Sequence, residues 1–238
     1  MKMSDGNSIS HSDFYEANLY RFQDGVLNTV KNLNTPLYLT GGTALSRGYY
    51  NHRYSDDLDF FVNQDEGFQK IVDAVLAALK AEGYEWSTEV GFVKTVDFCT
   101  VALQYRDYTC KLKVDFVNDV AAHFGEICKT PAYYRTDSIR NILSNKVSAI
   151  FRLSAKDIVD IYEICKHERF SWKEVYDEVR EKELGVEPAD VAGIFQTVPQ
   201  AAFDSIKWIR RVEYATFLQD AEIIAKDMLN QQENSLCG

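Results

Sequence analysis

Two aspartates in the first third of the chain, Asp57 and Asp59, stand one residue apart inside an otherwise apolar run. Successive side chains of a strand point to opposite faces, so both carboxylates are expected on one face while Leu58 and Phe60 occupy the other. At a rise of about 3.3 Å per residue they lie roughly 7 Å apart, and they repel one another unless a cation lies between them. Mg²⁺ suits such oxygen ligands, because it binds one or two carboxylates together with water and phosphate oxygens.

A pair of glycines, Gly41 and Gly42, precedes the aspartates and follows a short apolar run over residues 37–39. Glycines let the backbone approach a bulky anion, and the amides that open the next segment can bind phosphate. A Gly-Gly pair alone is typical of a turn, and an isolated Asp-x-Asp is typical of a solvated strand edge. Their ordered combination is more specific, because acids within an apolar run are costly to bury without a cation. It predicts a nucleoside triphosphate site.

Positive charge gathers in the second half of the chain. Residues 129–156 contain six basic residues and one acidic residue, although the whole chain has a net charge of -10. The basic residues are Lys129, Arg135, Arg140, Lys146, Arg152 and Lys156. In the run KDxxD over residues 156–160, the charges share a helix face, since residues three or four apart are neighbours. A solvated face is the ordinary explanation of such a run, but the local excess of bases favours an anion-binding track beside the site.

The ordered motifs resemble those of the AbiEii/AbiGii-type nucleotidyltransferase toxin family, within the DNA-polymerase-β-like nucleotidyltransferase superfamily. The matching segments are GGTAL (41–45), RYSDDLDF (53–60), KVSA (146–149) and KDIVDIY (156–162). In the superfamily a third carboxylate comes from a neighbouring strand, and Asp115 is the matching position. An exposed strand acid is the alternative explanation of Asp115. In the family, the matching lysine and the KDxxD residues also belong to the site, which implies roles for Lys146, Lys156, Asp157 and Asp160.

The resemblance implies a magnesium-dependent transfer. Asp57 and Asp59, with Asp115, are expected to hold Mg²⁺ for in-line displacement at the α-phosphorus, with pyrophosphate leaving. Lys146 and Arg53 are expected to neutralise charge in the transition state, because fixed cations act most strongly in a water-poor site. The residues expected to bind the nucleotide are Gly41, Gly42, Thr43, Arg53, Ser55 and Lys156.

The resemblance further implies a toxin of a toxin–antitoxin or phage-defence pair, neutralised by a cognate antitoxin protein. Relatives suggest transfer of nucleotides to the 3′ end of tRNA, and the basic track is compatible with that acceptor. Two other classes stay open. One is a nucleotidyltransferase with a small-molecule or protein acceptor, and the other is a non-catalytic binding protein of the same fold.

The elements that position these residues follow from periodicity. A helix is predicted over residues 12–33, capped by Asp13 and Glu16, and a second helix starts at Phe68 and stops near Gly83. Residues 84–117 read as a strand meander. Strands and helices in this order predict an α/β (α+β) fold with a nucleotidyltransferase-type mixed sheet.

The remainder predicts an all-helical C-terminal part that begins at Asp137, includes a Ser171/Glu174 capping box and ends in a frayed tail from Asn230. The interpretation divides the chain into a nucleotidyltransferase domain (1–118) and a helical domain (119–238) that contributes the basic and KDxxD residues to a cleft. The aromatic residues of the helical part are interpreted as core.

Composition narrows the protein class. Among the 238 residues the five cysteines include no CxxC pair, so neither a zinc knuckle nor a disulfide framework is expected. No apolar run approaches the ~20 residues of a membrane span, and the polar leader lacks the apolar core of a signal peptide. We therefore expect a cytoplasmic protein without membrane contact. The acidic balance argues against indiscriminate binding of nucleic acid.

Overall fold

The computed structural model describes residues 11–237. Its helices are α1 (His11–Phe14), α2 (Tyr20–Asn32), α3 (Gly41–Thr43), α4 (Phe68–Ala81), α5 (Ile139–Ser148), α6 (Ala155–His167), α7 (Trp172–Lys182), α8 (Pro188–Gln196), α9 (Gln200–Asp204) and α10 (Tyr214–Asn230). Its strands are β1 (Tyr38–Thr40), β2 (Leu58–Asn63), β3 (Phe92–Lys94), β4 (Phe98–Leu103) and β5 (Leu112–Asp119). A π-helical stretch, Tyr15–Leu19, joins α1 to α2, and a second one, Ala44–Tyr50, continues α3.

The five strands form one mixed sheet, as predicted. Its strand order is β1-β2-β5-β4-β3. The central pair, β2 and β5, is parallel, and the other neighbours are antiparallel. Parallel strands need a long crossover, and here α4 and the β3-β4 hairpin supply it. The crossover places the end of the Asp-x-Asp segment directly beside β5.

The two faces of the central strands differ in burial and in polarity. One face is buried and carries Leu58, Phe60, Val62, Val114 and Phe116. The rings of Phe60 and Phe116 stack on it at 5.7 Å, and apolar residues of α2 and α4 belong to the same cluster. The opposite face carries Asp59 and Asp115, which are only partly buried. The apolar face thus holds the sheet against its helices and leaves the acidic face to a cleft.

The segment 120–138, which follows β5, runs beside β1. The Leu39 amide donates to the Arg135 carbonyl at 2.8 Å, and the Asp137 amide donates to the Leu39 carbonyl at 2.9 Å. The Thr40 hydroxyl donates to the Asp137 carboxylate at 2.6 Å. These bonds fix the start of α5 relative to the strand that leads into the glycine turn.

The helix caps found in the structure differ from those predicted from the sequence. Ser138 caps α5, because its side chain accepts from the Asn141 amide at 3.0 Å. The predicted capping box at Ser171 is wrong, since that side chain makes no cap hydrogen bond and the residue bridges to Glu233 instead. Asp13 lies inside α1 rather than at a cap, and residues 1–10 lie outside the described part of the chain.

The predicted frayed tail from Asn230 is wrong for the described residues up to 237. Asn234 is buried, and its amide nitrogen donates to the carbonyls of Cys165 and Glu168, both at 2.7 Å. The backbone of Asn234 also donates to the carbonyl of Phe170 at 2.8 Å. Hydrogen bonds of this kind leave no trace in hydrophobic periodicity.

The helical part is packed on its aromatic residues, as predicted. Trp172, Phe195 and Phe203 are fully buried, and one apolar cluster contains buried residues of both the sheet and the helices. The five cysteines are free thiols. Within residues 11–237, every helix is too short or too polar to cross a membrane. The division of the chain at residue 118 stays a prediction.

Ser138 and Ser171 together give a test of helix capping. Ser138→Ala removes the bond accepted from the Asn141 amide and the bond donated to the Phe124 carbonyl, so it should lower the free energy of unfolding by about 1–2 kcal/mol. Ser171→Ala, at a cap position without such a bond, should change it by far less. Urea denaturation of both variants checks this expectation, and equal losses would contradict the assigned capping geometry.

Candidate active site

A cleft of about 550 Å³ opens between the acidic face of the sheet and helices α5 and α6. This volume falls in the range of small-molecule sites, roughly 300–1,000 Å³. Most of the predicted site residues line it: Gly41, Gly42, Arg53, Ser55, Asp57, Asp59, Asp115, Lys146, Lys156 and Asp157. Thr43 and Asp160 are fully buried and lie outside the lining.

Strand register brings the carboxylates together. Asp59 on β2 lies opposite Asp115 on β5, and Asp115 lies opposite Thr100 on β4. On the other side, Asp59 lies opposite Thr40 on β1. Asp57 precedes β2 by one residue and reaches the same cleft. The floor of the cleft at this end is therefore an acidic row.

Negative charge is most crowded at Asp59. Burial raises the pKa of its carboxyl to about 7, and the charges of Asp115 and then Asp57 add to the rise. Burial also raises the pKa of Asp57. Asp115 already has partners, since it accepts from the Thr100 hydroxyl and from the Lys113 ammonium, both at 2.5 Å.

The chemistry of these donors fits a divalent cation. Within residues 11–237, no group of three or more His, Cys, Asp or Glu side chains is arranged to hold a metal ion by itself. Mg²⁺ needs only one or two carboxylates, because water and substrate phosphates complete its shell. Asp57 and Asp59 supply such a pair, and a cation beside them would relieve the repulsion at Asp59. Asp115, whose oxygens accept other hydrogen bonds, stays a predicted third ligand.

The glycine turn packs closely against the side chains of Asp59 and Arg53. Gly41 has a φ of +69°, in the left-handed region that favours glycine, and a Cβ there would lie 2.4 Å from a carboxylate oxygen of Asp59. A Cβ on Gly42 would lie 2.5 Å from the Arg53 guanidinium. Thr43 donates to the backbone carbonyl of Asp57. The turn and the acidic loop, which contains Asp56 and Asp57, therefore stabilise each other's position.

A buried ion-pair cluster centred on Asp160 lies behind the cleft. Arg53 donates to both carboxylate oxygens at 2.7 Å. The Lys146 ammonium lies 2.6 Å from Oδ2, and Nε2 of His52 lies 2.8 Å from Oδ1. Lys146 also donates to Asp157 at 2.8 Å. Asp160 thus contacts the cleft only through these cations, and its predicted catalytic role stays a prediction.

The pKa shifts of Asp160, Arg53 and Lys146 indicate that this cluster is ionised. Burial of Asp160 opposes its ionisation, yet Arg53 and Lys146 hold the pKa of its carboxyl well below the usual range. The same interactions raise the pKa of both cations against the opposing effect of their burial. All three groups are therefore charged at neutral pH.

Asp56, beside Asp57, has partners that the sequence analysis did not find. Its carboxylate accepts from the Tyr15 hydroxyl and from the Lys207 ammonium, the latter at 3.0 Å. The Lys156 ammonium lies 3.3 Å from it. These partners come from the first helical segment, from α6 and from the chain after α9, at separations that no local motif spans. They anchor the acidic loop from three directions.

The predicted basic track lies beside the cleft only in its second half. Three of its members line the cleft: Lys146, Arg152 and Lys156. Arg140 instead pairs with Glu178 in a separate groove between α5 and α7, and Arg135 donates to the Pro36 carbonyl at 3.2 Å. The prediction of one continuous track is wrong for Arg135 and Arg140, because they point away from the cleft.

Two cations that line the cleft have no carboxylate partner among residues 11–237. Arg152 is exposed. Lys182, which the sequence analysis missed, donates to Asn141 at 2.6 Å, to Ser144 at 2.9 Å and to Asn145 at 2.6 Å. Burial lowers the pKa of Lys182 to about 8. No sequence signal marks this lysine, since it ends an ordinary amphipathic helix.

Comparison with known proteins agrees with the fold and the motifs. The Helicobacter pylori protein JHP933 has a crystal structure with a TM-score of 0.56 and 20% sequence identity, covering 94% of each chain. A second H. pylori chain, titled a candidate nucleotidyltransferase, gives a TM-score of 0.56 at 19% identity, covering 89% of this chain and 95% of its own. At these identities the likeness shows the fold. The search of curated proteins gave no match.

The sequence motifs point the same way as the structural likeness. The family model described as "Nucleotidyl transferase AbiEii toxin, Type IV TA system" matches residues 26–228, which contain the glycine turn, the acidic row and the Asp160 cluster. The chain therefore belongs to the AbiEii family of nucleotidyltransferase toxins.

Proposed function

We propose that this nucleotidyltransferase transfers a nucleoside monophosphate from an NTP to the 3′ end of an RNA such as tRNA, with Mg²⁺ as cofactor. The observation that carries the proposal is the sharing of one cleft by two kinds of group. Asp57 and Asp59 supply carboxylates for a metal, while Arg53 and Lys146 supply cations that Asp160 holds in fixed positions. Phosphoryl transfer depends on such positioning and charge stabilisation.

The metal belongs at the acidic row. Asp57 and Asp59 would hold it, with Asp115 as the predicted third ligand. When bound, Mg²⁺ supplies neutralisation of phosphate charge and a lowered pKa of the attacking hydroxyl. Burial, and then the charges of Asp115 and Asp57, raise the pKa of Asp59, and a cation at this place would offset these effects.

The other side chains bind and orient the triphosphate. Gly41 and Gly42 keep the turn free of side chains, so that phosphate oxygens can approach the backbone. Ser55 lines the same part of the cleft and supplies a hydroxyl donor. Arg53 and Lys146 stabilise negative charge on the transferred group without reorganisation, because their partners already fix them. Lys156 exchanges its contact with the Asp56 carboxylate for one with a phosphate oxygen of the bound nucleotide.

An RNA acceptor is supported by charge at the cleft. The net charge of -10 repels RNA at long range, but Arg152 lines the cleft without a carboxylate partner among residues 11–237. Family membership supports a role as the toxin of a pair with a cognate antitoxin. Incubation of labelled NTPs with total RNA, total protein and small-molecule pools tests the acceptor directly. Label on protein or on small molecules would replace RNA with one of those acceptors.

Asp57→Asn tests the metal assignment. The amide loses the charge that a cation needs, so transfer should fall by at least about a thousandfold, roughly 4 kcal/mol of transition-state stabilisation. Mg²⁺-dependent NTP binding should weaken as well. The matched control is Asp73→Asn on the exposed side of α4, outside the cleft. Unchanged turnover in Asp57→Asn would refute the assignment.

Asp160→Asn tests the buried cluster. Removal of one charge leaves Arg53 without its carboxylate partner and Lys146 with Asp157 alone, so the free energy of unfolding should fall by about 3–5 kcal/mol. Because the folded-state pKa of Asp160 is lowered, this stabilisation is present above the unfolded pKa of about 3.9 and is lost as the pH falls toward the folded value.

Urea denaturation from pH 7 to below pH 4 measures this difference, which should shrink on acidification. The matched control is Asp177→Asn, which breaks an ion pair of exposed side chains on α7 and should change stability little. Equal stability of the wild type and Asp160→Asn at pH 7 would contradict the positioning role.

Arg152→Ala tests the RNA acceptor. Each phosphate contact adds about one unit to the salt slope of binding, so the slope of log affinity for tRNA should flatten by about that amount. The affinity for NTP should stay within about twofold. Arg140→Ala is the control, because Glu178 already pairs with this arginine. A salt slope that is unchanged in Arg152→Ala but flattened in Arg140→Ala would place the RNA elsewhere.

A further inference from the structure

An apolar row lies next to the acidic row on the floor of the cleft. Phe61 on β2 is opposite Val117 on β5, and Val117 is opposite Phe98 on β4. All three side chains line the cleft. They follow Asp59 and Asp115 by two residues along β2 and β5, a distance of about 7 Å. An apolar row thus begins about 7 Å from the carboxylates of the proposed metal site.

The opposite wall at this place is one face of α5. Ile142, Asn145, Lys146 and Ala149 all line the cleft, and their spacing of three and four residues puts them on one side of the helix. Lys146 belongs to the acidic end through Asp157. Ile142, one turn earlier, adds a second apolar surface. Both apolar surfaces line the same cleft, and we call the part between them the slot.

The polar group beside this slot is Asn145, and Lys182 fixes its orientation. A lysine only donates, so Asn145 must turn its Oδ1 toward the ammonium, 2.6 Å away. The Lys182 ammonium donates its other two hydrogen bonds to Asn141 and Ser144. Both polar atoms of the Asn141 side chain have partners, because its oxygen accepts from Lys182 and from the Phe124 amide and its nitrogen donates to Asp137.

One hydrogen-bonding group of this network is left over. The Nδ2 of Asn145 is shielded from solvent and has no acceptor among the described residues. An unpaired buried donor costs about 1–3 kcal/mol, so a bound acceptor atom would be favoured here. Buried groups in this state discriminate strongly between ligands that complete them and ligands that do not.

We propose that this slot is the nucleobase subsite of the enzyme, with the base on the Phe61–Val117–Phe98 row and a carbonyl oxygen of the base accepting from Asn145. The inference rests on the proposed function, since it concerns the NTP of that reaction. Uracil, cytosine and guanine carry a carbonyl oxygen, whereas adenine offers this donor only ring nitrogens. The paired contact that asparagine makes with N6 and N7 of adenine also needs its Oδ1, which here already accepts from Lys182. The subsite therefore selects pyrimidine or guanine nucleotides over ATP, and Lys182 acts as the positioning residue for Asn145.

Calorimetric titration of the full chain with each of the four NTPs in the presence of Mg²⁺ tests the subsite. The wild type should bind ATP at least about tenfold more weakly than its preferred NTP. Asn145→Ala should reduce this ratio to below about threefold. Lys182→Met should reduce the ratio similarly while binding is retained, because the amide then loses its fixed orientation.

Phe61→Ala distinguishes stacking from base reading. Loss of the ring should weaken all four NTPs by about 5- to 150-fold and leave their order unchanged. Asn32→Ala, at the exposed end of α2, is the matched asparagine control and should change neither affinity nor order. Thermal unfolding of each variant confirms that it is folded.

The outcomes separate this inference from the proposed function. If Asn145→Ala and Lys182→Met keep the wild-type ratio of affinities between the preferred NTP and ATP, the base subsite is refuted, while loss of Mg²⁺-dependent binding in Asp57→Asn still supports the transferase site. If the wild type binds no NTP in the presence of Mg²⁺, the proposed function itself fails. A wild type that prefers ATP overturns the assigned donor at Asn145.

Discussion

The buried carboxylate of Asp160 is the interaction on which the cleft depends. It joins Arg53, which precedes the acidic segment, to Lys146 on α5, and it thereby fixes the helical wall relative to the sheet. Burial of charged groups is costly unless their geometry and hydrogen bonding are nearly complete. Here both carboxylate oxygens are paired. The arrangement presents two cations to the cleft in positions that need no rearrangement when an anion arrives.

The sheet adds a second constraint, because its register sorts the cleft floor by chemistry. Asp59 and Asp115 form one row, Phe61 and Val117 form the next, and both rows belong to the same pair of parallel strands. A shift by one residue would exchange every one of these side chains with the buried face. The apolar packing of that face, centred on Phe60, therefore also maintains the position of the acids.

Charge explains how an acidic protein can handle anionic substrates. The net charge is -10, yet Arg53, Lys146 and Lys156 all line one cleft, each within 4 Å of an Asp carboxylate. Paired cations contribute less to long-range attraction than free ones, but they are better ordered. The cleft therefore offers an anion fixed cations at short range rather than an attractive overall field.

The sequence by itself determined what depends on neighbours along the chain: the alternation that sets Asp57 and Asp59 apart from Leu58, the glycine turn, the mixed sheet and most helix positions. These features follow from periods of two and of 3.6 residues and from local backbone freedom. Only the tertiary structure decided which charges meet, such as Tyr15 with Asp56. Contacts between distant residues leave no periodic signal, because they depend on how the elements pack rather than on the order of residues within any one of them.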